Sequence, residues 1–291
     1  MIYLSGVTLL WSFSFSLIGV YLAGQVDPYF SVLSRVLLAS CVFLPFLRIK
    51  GLPRSMALKL MAIGGTQLGL MYLFYYQSFL YLSVPEVLLF TVFTPIYITL
   101  IYDLMNRNFS PWYLLTAVIA VLGAIIIQFN GMNEGYFKGF MIIQGANICM
   151  AMGQVAYKVL LEKEKLRLSQ HQIFGWFYLG ALTVAATAYL LLGDMTKLPT
   201  TYTQWGILGW LGIVASGLGY FFWNKGACKV NPGALAIMNN ALIPAGLIVN
   251  IAIWNRDVDL TRLGLGGGVI LLSLLVNEYL IKPDRRIPLS N

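Results

Sequence analysis

Residues 217–254 read GLGYFFWNKGACKVNPGALAIMNNALIPAGLIVNIAIW. Their apolar residues suffice to cross a bilayer twice, at about 20 residues per helical crossing. The same stretch carries Asn224, Lys225, Asn239, Asn240, Pro244 and Asn250. Amide side chains and a helix-breaking proline are costly in hydrocarbon unless they face a protein cavity or a ligand. The stretch therefore predicts two membrane helices that contribute to an internal site, with the rest of the chain as its housing.

Composition extends this reading to the whole chain. Of 291 residues, 59% are hydrophobic and 10% charged, with a mean hydropathy of +0.77, whereas soluble domains carry about 25% charged residues. The expectation is an all-α integral membrane protein whose standing partner is the lipid bilayer. The net charge of +8 has no basic cluster interleaved with aromatics, so no nucleic-acid partner is expected. Apolar spans fall near 2–23, 29–47, 58–80, 84–104, 111–129, 138–158, 172–192, 205–224, 233–254 and 263–281, ten in all. The first span starts without a basic leader and is too long for a signal-peptide core, so it is read as a retained helix. Cys41, Cys149 and Cys228 lie in or beside spans with no metal-binding spacing and read as small buried residues.

Basic residues orient the spans. Arg48, Lys50, Arg54 and Lys59 follow span two, Lys163, Lys165 and Arg167 follow span six, and Lys282, Arg285 and Arg286 close the chain. The alternate loops are poor in positive charge, apart from Arg256 and Arg262, which Asp257 and Asp259 offset. The positive-inside rule then places both termini in the cytoplasm.

An internal repeat is visible. Setting Pro95 on Pro244 without gaps brings Asn106-Arg107 onto Asn255-Arg256, and TPIYITLIYDLMNR matches IPAGLIVNIAIWNR in apolar pattern. The offset is five spans, an odd number, so the halves 1–129 and 130–291 are expected in opposite orientations, as a five-plus-five inverted repeat. Transporters of that architecture hold substrate at the interface of the halves. Gly65 with Gly69, Gly212 with Ser216 and Gly264 with Gly268 have the spacing for close helix packing within the bundle.

No nucleophile–base constellation, phosphate loop, metal pattern or paired carboxylate is present, and His171 sits in a polar loop. Neither an enzyme nor a cofactor or metal site is expected, and no extramembrane domain offers a scaffold. What remains is intramembrane polarity. Asn147, Gln154 and Lys158 follow i, i+7 and i+11, one face of one helix. Lys158 carries two readings, a ligand-binding cation or a lysine snorkelling from the last turn of its span. Trp11, Tyr72, Tyr75, Trp176 and Tyr178 either line a cavity or belong to the interfacial aromatic belt. Glu86 follows Pro85, where an acid caps a helix N-terminus or, as the sharper alternative, carries a coupling proton. Arg35 and Asp103 are assigned structural roles. Asn239 and Asn240 are adjacent in mid-span and cannot face one way on a regular helix, so with Pro244 they predict a broken helix that exposes backbone groups to substrate.

With these features in place the sequence resembles the EamA-type transporters of the drug/metabolite transporter superfamily. Within it the chain is similar to the bacterial inner-membrane biotin transporters of the carboxylate/amino acid/amine transporter group. The resemblance runs from YLAGQVDPYFSVLSRV through LLFTVFTPIYITLIYD and FGWFYLGA to the opening stretch, where Trp223-Asn224, Met238-Asn239-Asn240 and Pro244-Ala245-Gly246 are its most specific marks. It implies import of biotin; the mechanism expected is alternating access, in a protein working as a monomer, and an exporter of amino acids or other small metabolites is the alternative on the same fold. For biotin, the amides of Asn147, Asn239 and Asn240 suit the ureido ring, the aromatics suit the apolar bicycle, and Lys158 suits the carboxylate.

Overall fold

The computed structural model describes residues 1–107, 109–128, 134–164, 168–254 and 260–280. Among them all regular structure is helical, in ten consecutive rods. We label these α1 (Ile2–Tyr21), α2 (Pro28–Phe43) and α3, which runs as Arg54–Gly64, a π-helical segment Gly65–Leu70 and Met71–Ser78. Next, α4 consists of Val84–Phe90, a 3₁₀ turn Thr91–Phe93 and Thr94–Asn106, followed by α5 (Pro111–Gln128), α6 (Glu134–Lys163) and α7 (Gln170–Leu192). In α8, Tyr202–Trp210 and Gly219–Ala227 flank a π-helical segment Leu211–Leu218; α9 is Pro232–Trp254, and α10 is Leu260–Leu275 continued by Val276–Leu280. Eight helices are long and apolar enough to cross a membrane, and the apolar stretches Pro111–Gly123 of α5 and Gly264–Leu275 of α10 are shorter. The chain is a multi-pass membrane protein.

Local sequence starts and stops the rods. At α2, Pro28 opens the helix and Asp27 accepts the Phe30 N–H at 2.7 Å. At α8, Thr201 and Gln204 cap each other's backbone N–H groups, at 3.2 and 3.3 Å. Arg107 ends α4 in the left-handed conformation, φ 53°.

Packing follows the small residues. Helix α3 lies against α7 so closely that a Cβ on Gly64 would sit 1.8 Å from the Phe177 carbonyl oxygen, and one on Gly180 1.9 Å from that of Met61. Gly65 and Gly69 face α7, and Gly212 faces α2, as their spacing predicts. The third pair departs from expectation: Gly264 and Gly268 meet nothing within 4 Å, and α10 meets Gly123 of α5 through Gly266, Val269 and Ile270. The face that makes the contact is roughly opposite the predicted one, at about 100° per residue. Cys41 is also exposed rather than buried, on the outer face of α2.

The expected break in α9 is not there. Helix α9 is continuous through Asn239, Asn240 and Pro244, and the break lies in α4, at Thr91–Phe93. Pro95 has no N–H to give the Thr91 carbonyl, which takes the Thr94 hydroxyl at 2.7 Å, while the Thr91 hydroxyl goes to the Leu88 carbonyl at 2.7 Å. Threonine hydroxyls compete with the backbone for its own acceptors. The matching NNALIP of α9 has no hydroxyl to do so.

The basic residues Lys165, Arg167, Arg256, Lys282, Arg285 and Arg286, with Asn255 of the repeat, lie outside the described residues.

Candidate functional site

Beside the irregular turn of α4, and between the regular segments Met71–Ser78 of α3 and Gly219–Ala227 of α8, lies a cavity of about 100 Å³. Its walls come from α1, α2, α3, α4, α6, α8 and α9. The irregularities of α4 and α8 free backbone carbonyls, and side chains from neighbouring helices take them up. On α4, the Phe90 carbonyl accepts Asn147 Nδ2 at 2.8 Å and Gln144 Nε2 at 3.0 Å, and the Val92 carbonyl accepts Asn240 Nδ2 at 3.3 Å. On α8, the Ala215 carbonyl accepts the Trp11 indole N–H at 2.8 Å. The Tyr178 hydroxyl contacts the carbonyls of Ser216 and Gly217 at 2.8 and 2.6 Å.

Of the residues singled out from sequence, Trp11, Tyr72, Tyr75, Asn147 and Asn239 line the cavity. Both amide hydrogens of Asn147 are committed, to Phe90 and to Gln144 Oε1 at 3.1 Å, so its side-chain oxygen is what it can offer a ligand. Asn239 donates to the Leu235 carbonyl at 2.8 Å, and its two contacts with Gln154 are both long, 3.4 Å. Gln154 stands behind it, fully buried, accepting the Trp223 indole N–H at 2.8 Å.

The other five residues lie elsewhere. Adjacent residues on an unbroken helix diverge by about 100°, and so Asn240 turns away from the cavity to α4 while Asn239 faces it. Tyr178 is a buried staple between α7 and α8. Trp176 reaches the connection that follows α2, with its indole N–H 3.3 Å from the Arg48 carbonyl. Glu86 does not line the cavity and accepts the Ser83 N–H at 2.7 Å, which is the capping geometry. Lys158 neither lines the cavity nor reaches solvent. Its side chain is 0% exposed, and its ammonium donates to the carbonyls of Ala227 (3.1 Å) and Val230 (2.7 Å) and pairs with Glu162 at 2.8 Å. Helix α6 carries it under the α8–α9 connection, where carbonyls of Ala227 and Val230, left over between two helices, solvate it in place of water. Asn224, in the last turns of α8, is likewise buried.

Arg35, given a structural role from the sequence, also stands at the cavity. It lines the cavity, is 2% exposed, and donates from Nη2 to Tyr72 at 2.6 Å, from Nη1 to Tyr76 at 3.0 Å and from Nε to Ser216 Oγ at 3.1 Å. Its guanidinium also lies 4.2 Å from the centroid of the Tyr72 ring. A signal was present in the sequence: a cation some seven residues into an apolar span is too deep to snorkel cheaply, and the tyrosines of span three supply hydroxyl partners.

A bundle of membrane-crossing helices with irregular, polar walls around an internal cavity defines the class of multi-pass membrane transporters. The chain belongs to the EamA-like transporter family: that family's model matches residues 1–129, and relatives half identical to the chain cover nearly all of it. It is 52% identical over 276 residues to the "Probable biotin transporter" of Pseudomonas aeruginosa, covering 95% of this chain and 96% of that protein. It is 50% identical over 277 residues to the "Biotin transporter" of Salmonella typhimurium and to that of Escherichia coli K12, covering 95% of this chain and 92% of each. A solved crystal structure 17% identical in sequence superposes with a TM-score of 0.76 over 96% of this chain and 97% of its own, a likeness of fold.

Proposed function

We propose that the chain imports biotin across the bacterial inner membrane, with the cavity as its substrate site. The reading is carried by identity of 50% or more, over 95% of the chain, to proteins named biotin transporter. The cavity chemistry agrees with it. Asn147 presents an acceptor suited to a ureido N–H, the weakly engaged Asn239 supplies both donor and acceptor, and Trp11 and Tyr75 offer ring surface to an apolar bicycle.

The ten rods are read as ten spans in a five-plus-five inverted repeat, divided into 1–129 and 130–291. Support comes from the way helices pack: α3 on α7 is matched by α8 on α2, α1 on α9 by α6 on α4, and α3 on α6 by α8 on α1. The π-helical segments of α3 and α8 are also five rods apart. Both termini are then cytoplasmic, with the Lys158 clasp on the cytoplasmic side and the Gln154–Trp223–Asn239 cluster between it and the cavity. Rocking of the halves would open that side and close the other. The cavity is walled within one chain, which supports function as a monomer. A reporter active only in the periplasm, joined to the C-terminus, is expected to stay silent; a periplasmic signal would reject the orientation.

Uptake tests the function. In a cell unable to make biotin, expression of this chain is expected to restore growth on limiting external biotin, whereas an exporter on the same fold would not. Asn147→Ala is expected to lower uptake at sub-saturating biotin about tenfold at equal membrane expression, the value of a buried hydrogen bond lost to a polar ligand group. Gln144 still holds the Phe90 carbonyl in that variant. Unchanged uptake would remove Asn147 from the site.

A further inference from the structure

We propose that Arg35 is the carboxylate receptor of the cavity, so that the site takes small monocarboxylates and, on the biotin reading above, holds biotin by its free acid. The starting observation is an unneutralised charge. Among the described residues no carboxylate pairs with Arg35, although it is buried in the middle of the bundle. Its hydrogen-bond partners are neutral hydroxyls, and they engage three of its N–H groups. A guanidinium has five, so two remain. Removing a cation from water without a counter-ion is costly, and the cost is relieved when an anion arrives.

The surroundings hold the guanidinium in place. Tyr72 and Ser216 are themselves hydrogen-bonded, at 2.9 Å, and the Tyr72 ring packs on Tyr220. The fork is therefore fixed by α3 and α8 before any ligand enters, which lowers the ordering cost of binding. A second observation points to a ligand in the same space. Ser14, 6% exposed, lines the cavity and its hydroxyl has no partner. A hydroxyl donor and a guanidinium fork with two N–H groups to spare suit the two oxygens of one carboxylate. A dicarboxylate would bring a second, uncompensated charge into the same buried space, and a neutral ligand would leave the cation unpaired.

The test compares biotin with biotinamide, in which a neutral carboxamide replaces the acid, by direct binding to the purified full-length protein. Biotin is expected to bind on the order of 100-fold more tightly, the range of a buried charge pair broken on one side. Arg35→Gln is expected to bring biotin down to the level of biotinamide, and Arg35→Lys, which keeps the charge but not the fork, to fall between. Equal binding of the two ligands by the unsubstituted protein would overturn the role of Arg35 and leave the biotin reading standing. Binding of neither ligand would overturn both. The first comparison needs no variant, so it decides the matter even where Arg35→Gln does not fold.

Discussion

Gly64→Ala is expected to lose more than about 4 kcal/mol of stability, a loss that point substitutions reach only exceptionally. Helix propensity alone gives the opposite sign, since alanine is favoured over glycine by about 1 kcal/mol in a helix interior. Space decides against it. The added methyl would sit 1.8 Å from the Phe177 carbonyl oxygen, 2.5 Å from its carbon and 2.8 Å from its Cα. These are backbone atoms of a regular helix, which cannot swing aside as the end of a side chain can, so α3 and α7 must separate. Separation would also disturb the reciprocal contact of Gly180 with Met61 and move Tyr72 and Tyr76 away from Arg35. Gly6, with nothing within 4 Å, is the control. After detergent extraction, Gly6→Ala is expected to elute as the unsubstituted protein does and Gly64→Ala to be largely aggregated or to melt far lower. Matching melting temperatures for the two variants would mean that α3 and α7 are not in backbone contact.

Lys158→Met is expected to cost about 3–5 kcal/mol, the range for breaking a buried charged network on one side. The methionine fits the volume of the lysine stem but leaves the carbonyls of Ala227 and Val230, and the Glu162 carboxylate, without their ammonium. The α8–α9 connection is held to α6 by those bonds, so the loss is expected there first, as faster proteolysis near Cys228. Because Lys158 does not line the cavity, biotin binding by the protein that remains folded is expected to change little. A large loss of affinity at unchanged stability would return Lys158 to the ligand, as its place in the polar stripe of α6 first suggests.

These two residues show where sequence was informative. The stripe Asn147, Gln154 and Lys158 is buried along its whole length, because a 3.6-residue period fixes which residues share a face. What each member touches depends on helices far away in sequence. Asn147 meets the kink of α4, Gln154 meets Trp223 of α8, and Lys158 meets the connection that follows it. The same limit applies to Trp176 and Tyr178. Both are aromatic residues of α7, yet that helix packs on α2 and α3 and does not reach the cavity. Glu86 was legible as a cap because capping is local, and the structure gives it that partner.

Two signals of broken helix competed, TVFTP in α4 and NNALIP in α9. The second carries amides, whereas the hydroxyls of the first compete for the carbonyls around its proline. The amides of α6 and α9 then serve the break from outside: Asn147, Gln144 and Asn240 bind the carbonyls that α4 leaves open.

By itself the sequence determined the membrane class, the helical rods and the presence of an internal polar site, since apolar length, short connections and the cost of amides in hydrocarbon are properties of local composition. It also carried the family, because half of its residues are shared along nearly the whole length of the relatives. Only the tertiary structure decided which polar residues meet. It put Arg35 among Tyr72, Tyr76 and Ser216, took Lys158 to the α8–α9 connection and divided Asn239 from Asn240. The reason is physical: a buried polar group is stabilised by partners that packing brings to it from other helices, and the spacing of residues on one helix does not specify them.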